Sequence, residues 1–161
     1  MNDGLGKKAE AKIKDWLNRP SEGYCFVRIP DQLSGYYGSS NICDFICYKY
    51  PNMYYIESKA TSSDRFDFSM LSDIQRNGLV AKDKIEGVNG LVFVLFAEHQ
   101  RAFLFSVTDI QRCIDDEIAK SLNIKKIDKW PIKYAEVRTL PSRKTLLDYD
   151  GELEEYVNQL K

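Results

Sequence analysis

Asn41-Ile42-Cys43-Asp44-Phe45-Ile46-Cys47-Tyr48 is followed, after a break at Lys49 to Asn52, by Met53-Tyr54-Tyr55-Ile56-Glu57-Ser58-Lys59-Ala60. Both halves are rich in β-branched and aromatic residues, and a Pro-Asn turn signal parts them, which predicts a β-hairpin. Three charged residues interrupt the apolar strands: Asp44, Glu57 and Lys59. Such groups are costly to bury unless paired or bound to a metal, so the hairpin asks for a chemical explanation.

Strand side chains alternate between faces, which puts Tyr55, Glu57 and Lys59 on one face and Ile56, Ser58 and Ala60 on the other. Asp44 lies 57 − 44 = 13 residues from Glu57, and a hairpin brings the two carboxylates within reach of one cation. Two carboxylates with water and a backbone carbonyl make a hard oxygen site of the type Mg²⁺ prefers. A neighbouring lysine can orient or deprotonate an attacking water, or stabilise negative charge developing at phosphorus. Phosphodiester hydrolysis needs these parts. On spacing alone, an ordinary same-face ion pair between Glu57 and Lys59, with Asp44 at a strand end, is the favoured explanation, because the motif is short and common.

Outward from the hairpin, Ala9, Ile13, Trp16 and Leu17 mark one face of an amphipathic helix over Gly4 to Leu17, closed by Pro20. Glu10 falls on the margin of that face, while Lys7, Lys8, Lys12 and Lys14 point outward. Tyr24 to Ile29 reads as a strand, and Asp31 to Ser40, with Gly35 and Gly38, as a surface loop. Beyond the hairpin, Thr61 to Asp67 is polar, and Ser69 to Ile85 returns to helical periodicity with Leu71, Ile74, Leu79 and Ala81. Ser72-Asp73-Ile74-Gln75 matches a capping box. Gly87 to Gly90 predicts a turn, Leu91 to Ala97 a fully buried strand, Glu98 to Arg101 a hairpin turn, and Ala102 to Val107 a further strand. Thr108 or Asp109 is expected to cap a helix carrying Ile110, Cys113, Ile114 and Ile118. A basic, Pro-punctuated segment with Trp130 and Tyr134 follows, then a short acidic helix from about Gly151 to Leu160. The expected result over 1–161 is one α/β domain with a mixed central sheet and helices on both faces.

With 161 residues, 43% hydrophobic and 29% charged, the chain can bury the core of such a domain. Its four cysteines, Cys25, Cys43, Cys47 and Cys113, form no C-x-x-C pair, and three sit in apolar runs. They read as reduced, buried thiols rather than zinc ligands. A polar N-terminus and the absence of any apolar run of about 18 residues predict a soluble intracellular protein with no membrane partner. The net charge of −1 excludes a uniformly basic coat. Charge is nonetheless segregated: Lys125 to Lys144 carries seven basic and two acidic residues, a net of +5, and Thr145 to Lys161 five acidic and one basic, a net of −4. Ordinary solvated faces and a local basic surface for a phosphate backbone both account for this pattern. His99, on a turn, is expected to be solvated without a partner.

Asp44 in Cys43-Asp44-Phe45, the segment Glu57-Ser58-Lys59-Ala60-Thr61, Gln75 on the next helix and the start Gly6-Lys7-Lys8-Ala9-Glu10 occur in an order that resembles the PD-(D/E)XK nuclease superfamily, and within it the RecU-type Holliday junction resolvases. The resemblance covers roughly Gly4 to Ile110, with a weaker echo at Leu146-Leu147-Asp148-Tyr149. It implies a restriction-endonuclease-like core and a divalent-metal site, Mg²⁺ with Mn²⁺ as a substitute. Asp44 and Glu57 are the implied ligands, Lys59 the catalytic lysine, Gln75 a member of the site and Glu10 a helix-borne acid that can complete the metal shell. Two departures stand out. The long insertion of RecU-type enzymes is replaced by the short connection Pro30 to Asn41, and the family's threonine two residues ahead of the aspartate is Ile42.

For DNA contact the nominated residues are Lys7, Lys8, Arg65, Arg76 and Lys82, which would position the backbone without reading sequence. Tyr36 and Tyr37 are placed to stack on unpaired bases at a branch point. The expectation is a Mg²⁺-dependent, structure-selective DNA endonuclease, a homodimeric Holliday junction resolvase of bacterial or phage-encoded type, cytoplasmic and nucleoid-associated. Its alternatives are a restriction- or repair-type endonuclease of the same fold, or a non-catalytic DNA-binding or recombination-modulating protein.

Overall fold

The computed structural model describes residues 3–18, 23–30, 41–140 and 148–161. Helix α1 (Asp3–Leu17) forms on the anticipated periodicity, and Ala9, Ile13, Trp16 and Leu17 are all buried. Strands β1 (Cys25–Arg28), β2 (Phe45–Lys49) and β3 (Asn52–Thr61) make an antiparallel meander. Its register sets Phe45 opposite Ile56 and Ile46 opposite Tyr55. After the short strand β4 (Arg65–Asp67), helix α2 (Asp73–Asp83) crosses over the sheet. It delivers β5 (Val88–Phe96) parallel to β3, with Val92 opposite Glu57. β6 (Arg101–Ser106) returns antiparallel to β5, and α3 (Val107–Asp115) follows it.

The rest of the chain adds strands that sequence periodicity does not reveal. The short strand β7 (Ser121–Asn123) pairs with β4, so the polar segment after β3 is part of a two-stranded ribbon. The basic, Pro-punctuated segment contains β8 (Ala135–Leu140), which pairs with β6. Then β9 (Asp148–Asp150) pairs with β8, and α4 (Leu153–Asn158) ends the fold. Among the described residues the sheet therefore has seven strands in the order β1-β2-β3-β5-β6-β8-β9.

Two boundaries also differ from expectation for identifiable reasons. Gly90 lies inside β5 rather than in a turn, because α2 passes so close that a Cβ there would lie 2.6 Å from the Leu79 carbonyl oxygen. Helix α3 starts at Val107 with Ser106 as N-cap, and the Thr108 hydroxyl donates to Asp83 at 2.6 Å instead of capping.

Each face of the sheet is covered by helices. On one, α1 and α4 bury Phe45, Ile56, Leu91, Phe93 and Leu104, with the Trp16 ring set edge-on against Tyr149 and Tyr156. On the other, α2 and α3 bring Leu79, Val107 and Ile110 onto Val92, Val94, Phe103 and Phe105. Full burial of a large apolar side chain contributes about 1.5–3 kcal/mol. Strands β3 and β5 lie between the two layers, with Glu57 and Lys59 within β3 and Asp44 just ahead of β2. No helix among the described residues is long and apolar enough to cross a membrane.

Candidate active site

Asp44 sits one residue ahead of β2, and its backbone N–H still donates to the Ile56 carbonyl at 3.1 Å. The register that pairs Phe45 with Ile56 places Asp44 beside Glu57 on the face that α2 covers. Its Oδ2 accepts from the Ser58 N–H at 2.8 Å, so the strand that carries the glutamate also anchors the aspartate. Ser58 was not singled out by the sequence, because this role depends on its backbone rather than on its side chain.

Glu57 is 3% exposed. Two donors converge on its Oε1: Lys59 Nζ at 3.1 Å, from two residues along the same face, and Gln75 Nε2 at 2.9 Å, from α2. Gln75 also completes the capping box: its Oε1 accepts from the Ser72 N–H at 3.1 Å, while Ser72 Oγ accepts from the Gln75 N–H at 3.2 Å. Both ends of the Gln75 amide are therefore engaged, which fixes its orientation. One residue serves the helix terminus and the carboxylate together.

The second oxygen of Glu57, Oε2, is buried and accepts from no donor among the described residues. The Asp44 and Glu57 carboxyls are neighbours, each acting on the other's ionisation. Burial, with the Asp44 charge added, pushes the Glu57 carboxyl up to about 8, and Lys59 only partly opposes this. Asp44 is raised as well, chiefly by burial, with the Ser58 N–H acting against it and the Glu10 charge adding to it. A buried acid with an unpartnered oxygen beside a second, half-buried acid is a poor arrangement for an apo protein. It fits a divalent cation, which would keep both acids ionised and satisfy the free lone pairs. Two carboxylates with further positions left to water are the donor set of Mg²⁺ or Mn²⁺ rather than of Zn²⁺.

Glu10 does not turn to this pair. Its Oε2 lies 2.6 Å from an Arg28 guanidinium nitrogen on β1, and among the described residues no group of three His, Cys, Asp or Glu side chains closes on one cation position. Asn41 does not supply a replacement for the hydroxyl that Ile42 lacks, since its amide donates to the Pro30 carbonyl at 2.6 Å.

The nominated DNA contacts are scattered. Lys7 and Lys8 are exposed on α1. Arg65 is exposed and pairs with Asp67 at 2.6 Å. Arg76 is committed within the protein, to Gln111 at 2.7 Å and Asp73 at 2.9 Å, and ties α2 to α3. Lys82 lies over the Tyr55 ring, 5.8 Å from its centroid. Tyr36 and Tyr37 lie outside the described residues. Within the basic segment, Lys125 pairs with Asp64, Arg138 approaches Asp150 at 3.9 Å and Lys133 donates to the Lys161 carbonyl, while Arg143 and Lys144 lie outside the described residues. His99 has a partner after all: its Nε2 lies 2.6 Å from Asp64 Oδ1, whose other oxygen takes Lys125 at 2.8 Å. Among the cysteines, Cys43, Cys47 and Cys113 are buried and Cys25 is exposed, all as free thiols.

No family model matches the chain, and no curated relative does. Among solved structures, the chain is similar to Hjc, a Holliday junction resolvase of the archaeal hyperthermophile Archaeoglobus fulgidus. The identity is 18%, over 64% of this chain and 78% of that one, with a TM-score of 0.46.

Proposed function

We propose that the protein is a Mg²⁺-dependent, structure-selective DNA endonuclease of the PD-(D/E)XK type, acting on four-way junctions as a homodimeric, RecU-like resolvase. One observation carries this: the buried Glu57 carboxylate has the half-buried Asp44 carboxylate and Lys59 as neighbours, and its Oε2 accepts from no donor among the described residues. A bound divalent ion supplies Lewis acidity and makes water a stronger nucleophile near neutral pH.

Asp44 and Glu57 would hold the ion. The Ser58 N–H fixes Asp44 through Oδ2. Gln75 and Lys59 occupy Glu57 Oε1 and so direct Oε2 into the site. Lys59, an ammonium paired with the buried Glu57, meets the negative charge that develops on the phosphoryl oxygens. Lys7 and Lys8, exposed beyond Glu10 on α1, follow the phosphate backbone. Two copies are required because resolution cuts two opposed strands of a symmetric junction.

The test is cleavage of a four-way junction, a linear duplex and a fork, each with Mg²⁺ or EDTA. Paired symmetrical nicks that need Mg²⁺ support the proposal. Equal cutting of linear duplex removes the junction specificity, and retained binding without any cutting favours a non-catalytic module. Asp44→Asn is expected to abolish cleavage while leaving folding and junction binding intact. Undiminished cutting by that variant would take Asp44 out of the mechanism.

A further inference from the structure

Glycine is a poor choice for the interior of a helix, yet Gly78 lies in the middle of α2. The reason is steric. A Cβ at this position would overlap Ile42 Cγ2 outright and stand 2.9 Å from Ile42 Cβ. Ile42 packs against the core cluster under α2 and α3, two residues ahead of Asp44, whose own N–H is bonded to Ile56. It therefore has little room to retreat.

We infer that Gly78 is a positioning residue for the site: its missing side chain lets Ile42 seat against α2, and that contact sets where Asp44 stands relative to Glu57. Gln75 and Gly78 are three residues apart and so lie on the same side of α2. One holds Glu57 on β3, and the other admits the residue that leads into β2. Through these two contacts a single helical turn gauges the separation of the two carboxylates. The departure from the family's threonine at Ile42 acquires a purpose here, since a branched apolar residue fills the space that glycine leaves. The chemistry of this inference rests on the nuclease reading, while the contact itself rests on geometry alone.

The experiment compares wild type, Gly78→Ala, Ile42→Ala and the double variant as full chains. Three quantities are measured: steady-state cleavage of a four-way junction with Mg²⁺, thermal melting, and the ¹⁵N NMR resonance of the Gln75 side-chain amide. Gly78→Ala is expected to stay folded and keep KM, to lose about tenfold or more in kcat, equivalent to one lost transition-state contact, and to move the Gln75 resonance. The double variant, relieved of Ile42 Cγ2, is expected to recover most of both. A Gly78→Ala protein with wild-type kcat and an unmoved resonance overturns the inference, as does a double variant no better than the product of the single defects.

Should Gly78→Ala fail to fold, Ile42→Ala decides by opening a gap at the same contact: reduced kcat with unchanged KM supports the inference, and unchanged kcat refutes it. A wild type that cuts nothing sinks the nuclease reading instead. The Gln75 resonance then decides the positioning role alone, and no movement on substitution of Gly78 overturns it.

Discussion

Glu57→Gln separates what the buried carboxylate costs from what it does. Burial and the Asp44 charge push Glu57 up to about 8, whereas a glutamate in an unfolded chain titrates near ~4.3. Between those values the folded protein holds a proton that the unfolded chain has released. Stability therefore falls as pH rises through that window, by about 1.4 kcal/mol per pH unit. From pH 5 to pH 8 the loss comes to about 4 kcal/mol.

Glutamine has the shape of the protonated acid and cannot ionise. Its carbonyl oxygen can still accept from Gln75 and Lys59, and its amide can donate toward Asp44. Urea denaturation in EDTA should find the two proteins similar at pH 5. At pH 8 the wild type should be the weaker by about 4 kcal/mol. Mg²⁺ at a hundred times its dissociation constant should return about 2.7 kcal/mol to the wild type at pH 8 and nothing to the variant. Equal pH slopes in the two proteins would refute the buried-acid account. A wild type that neither Mg²⁺ nor Mn²⁺ stabilises would refute the cation site.

Gln75→Ala removes a capping-box partner and a donor to Glu57 together, so it is expected to cost about 1 kcal/mol of stability and roughly tenfold in cleavage rate. Ser72→Ala is the control: it should lower stability by a similar amount, about 1 kcal/mol, and leave cleavage nearly intact. Equal loss of cleavage in both variants would assign Gln75 to the helix cap alone. Replacing Lys7 and Lys8 by alanine should flatten the dependence of log affinity on log salt by up to about 1.8, near 0.9 per phosphate contact. A filter-binding titration across salt concentrations checks this, and an unchanged slope removes the start of α1 from the DNA interface.

The features legible in the sequence are those set by local spacing. Period-two alternation put Glu57 and Lys59 on one face, helical spacing named the buried residues of α1, and Ser72 to Gln75 announced a cap. Strands β8 and β9 were not legible, because their pattern is short and mixed with charge. In β8 only Ala135 and Val137 alternate as buried positions, between exposed Glu136 and Arg138, and the strand forms because β6 offers Ala102 and Leu104 opposite them. Glu10 and His99 show the same limit in the site region. Their partners Arg28 and Asp64 lie 18 and 35 residues away, and no spacing rule within one element reaches that far.

The ion-pair interpretation of the hairpin, favoured on spacing alone, does not account for how Asp44 is held. Lys59 and Gln75 suffice to satisfy one oxygen of Glu57, and a structural pair could end there. Instead a second acid is held beside it by a backbone N–H, and both acids are raised by their own burial. Replacing a buried charge cluster with apolar side chains is often neutral or stabilising, so a fold gains nothing from Asp44 as a packing element. A central strand such as β3, bonded on both sides by β2 and β5, is also rigid enough to hold two like charges together at that cost. Strained electrostatics on the firmest part of a scaffold is the arrangement expected of a site that waits for a ligand. Within the proposed mechanism, the unpartnered Glu57 Oε2 is the atom such a ligand would meet.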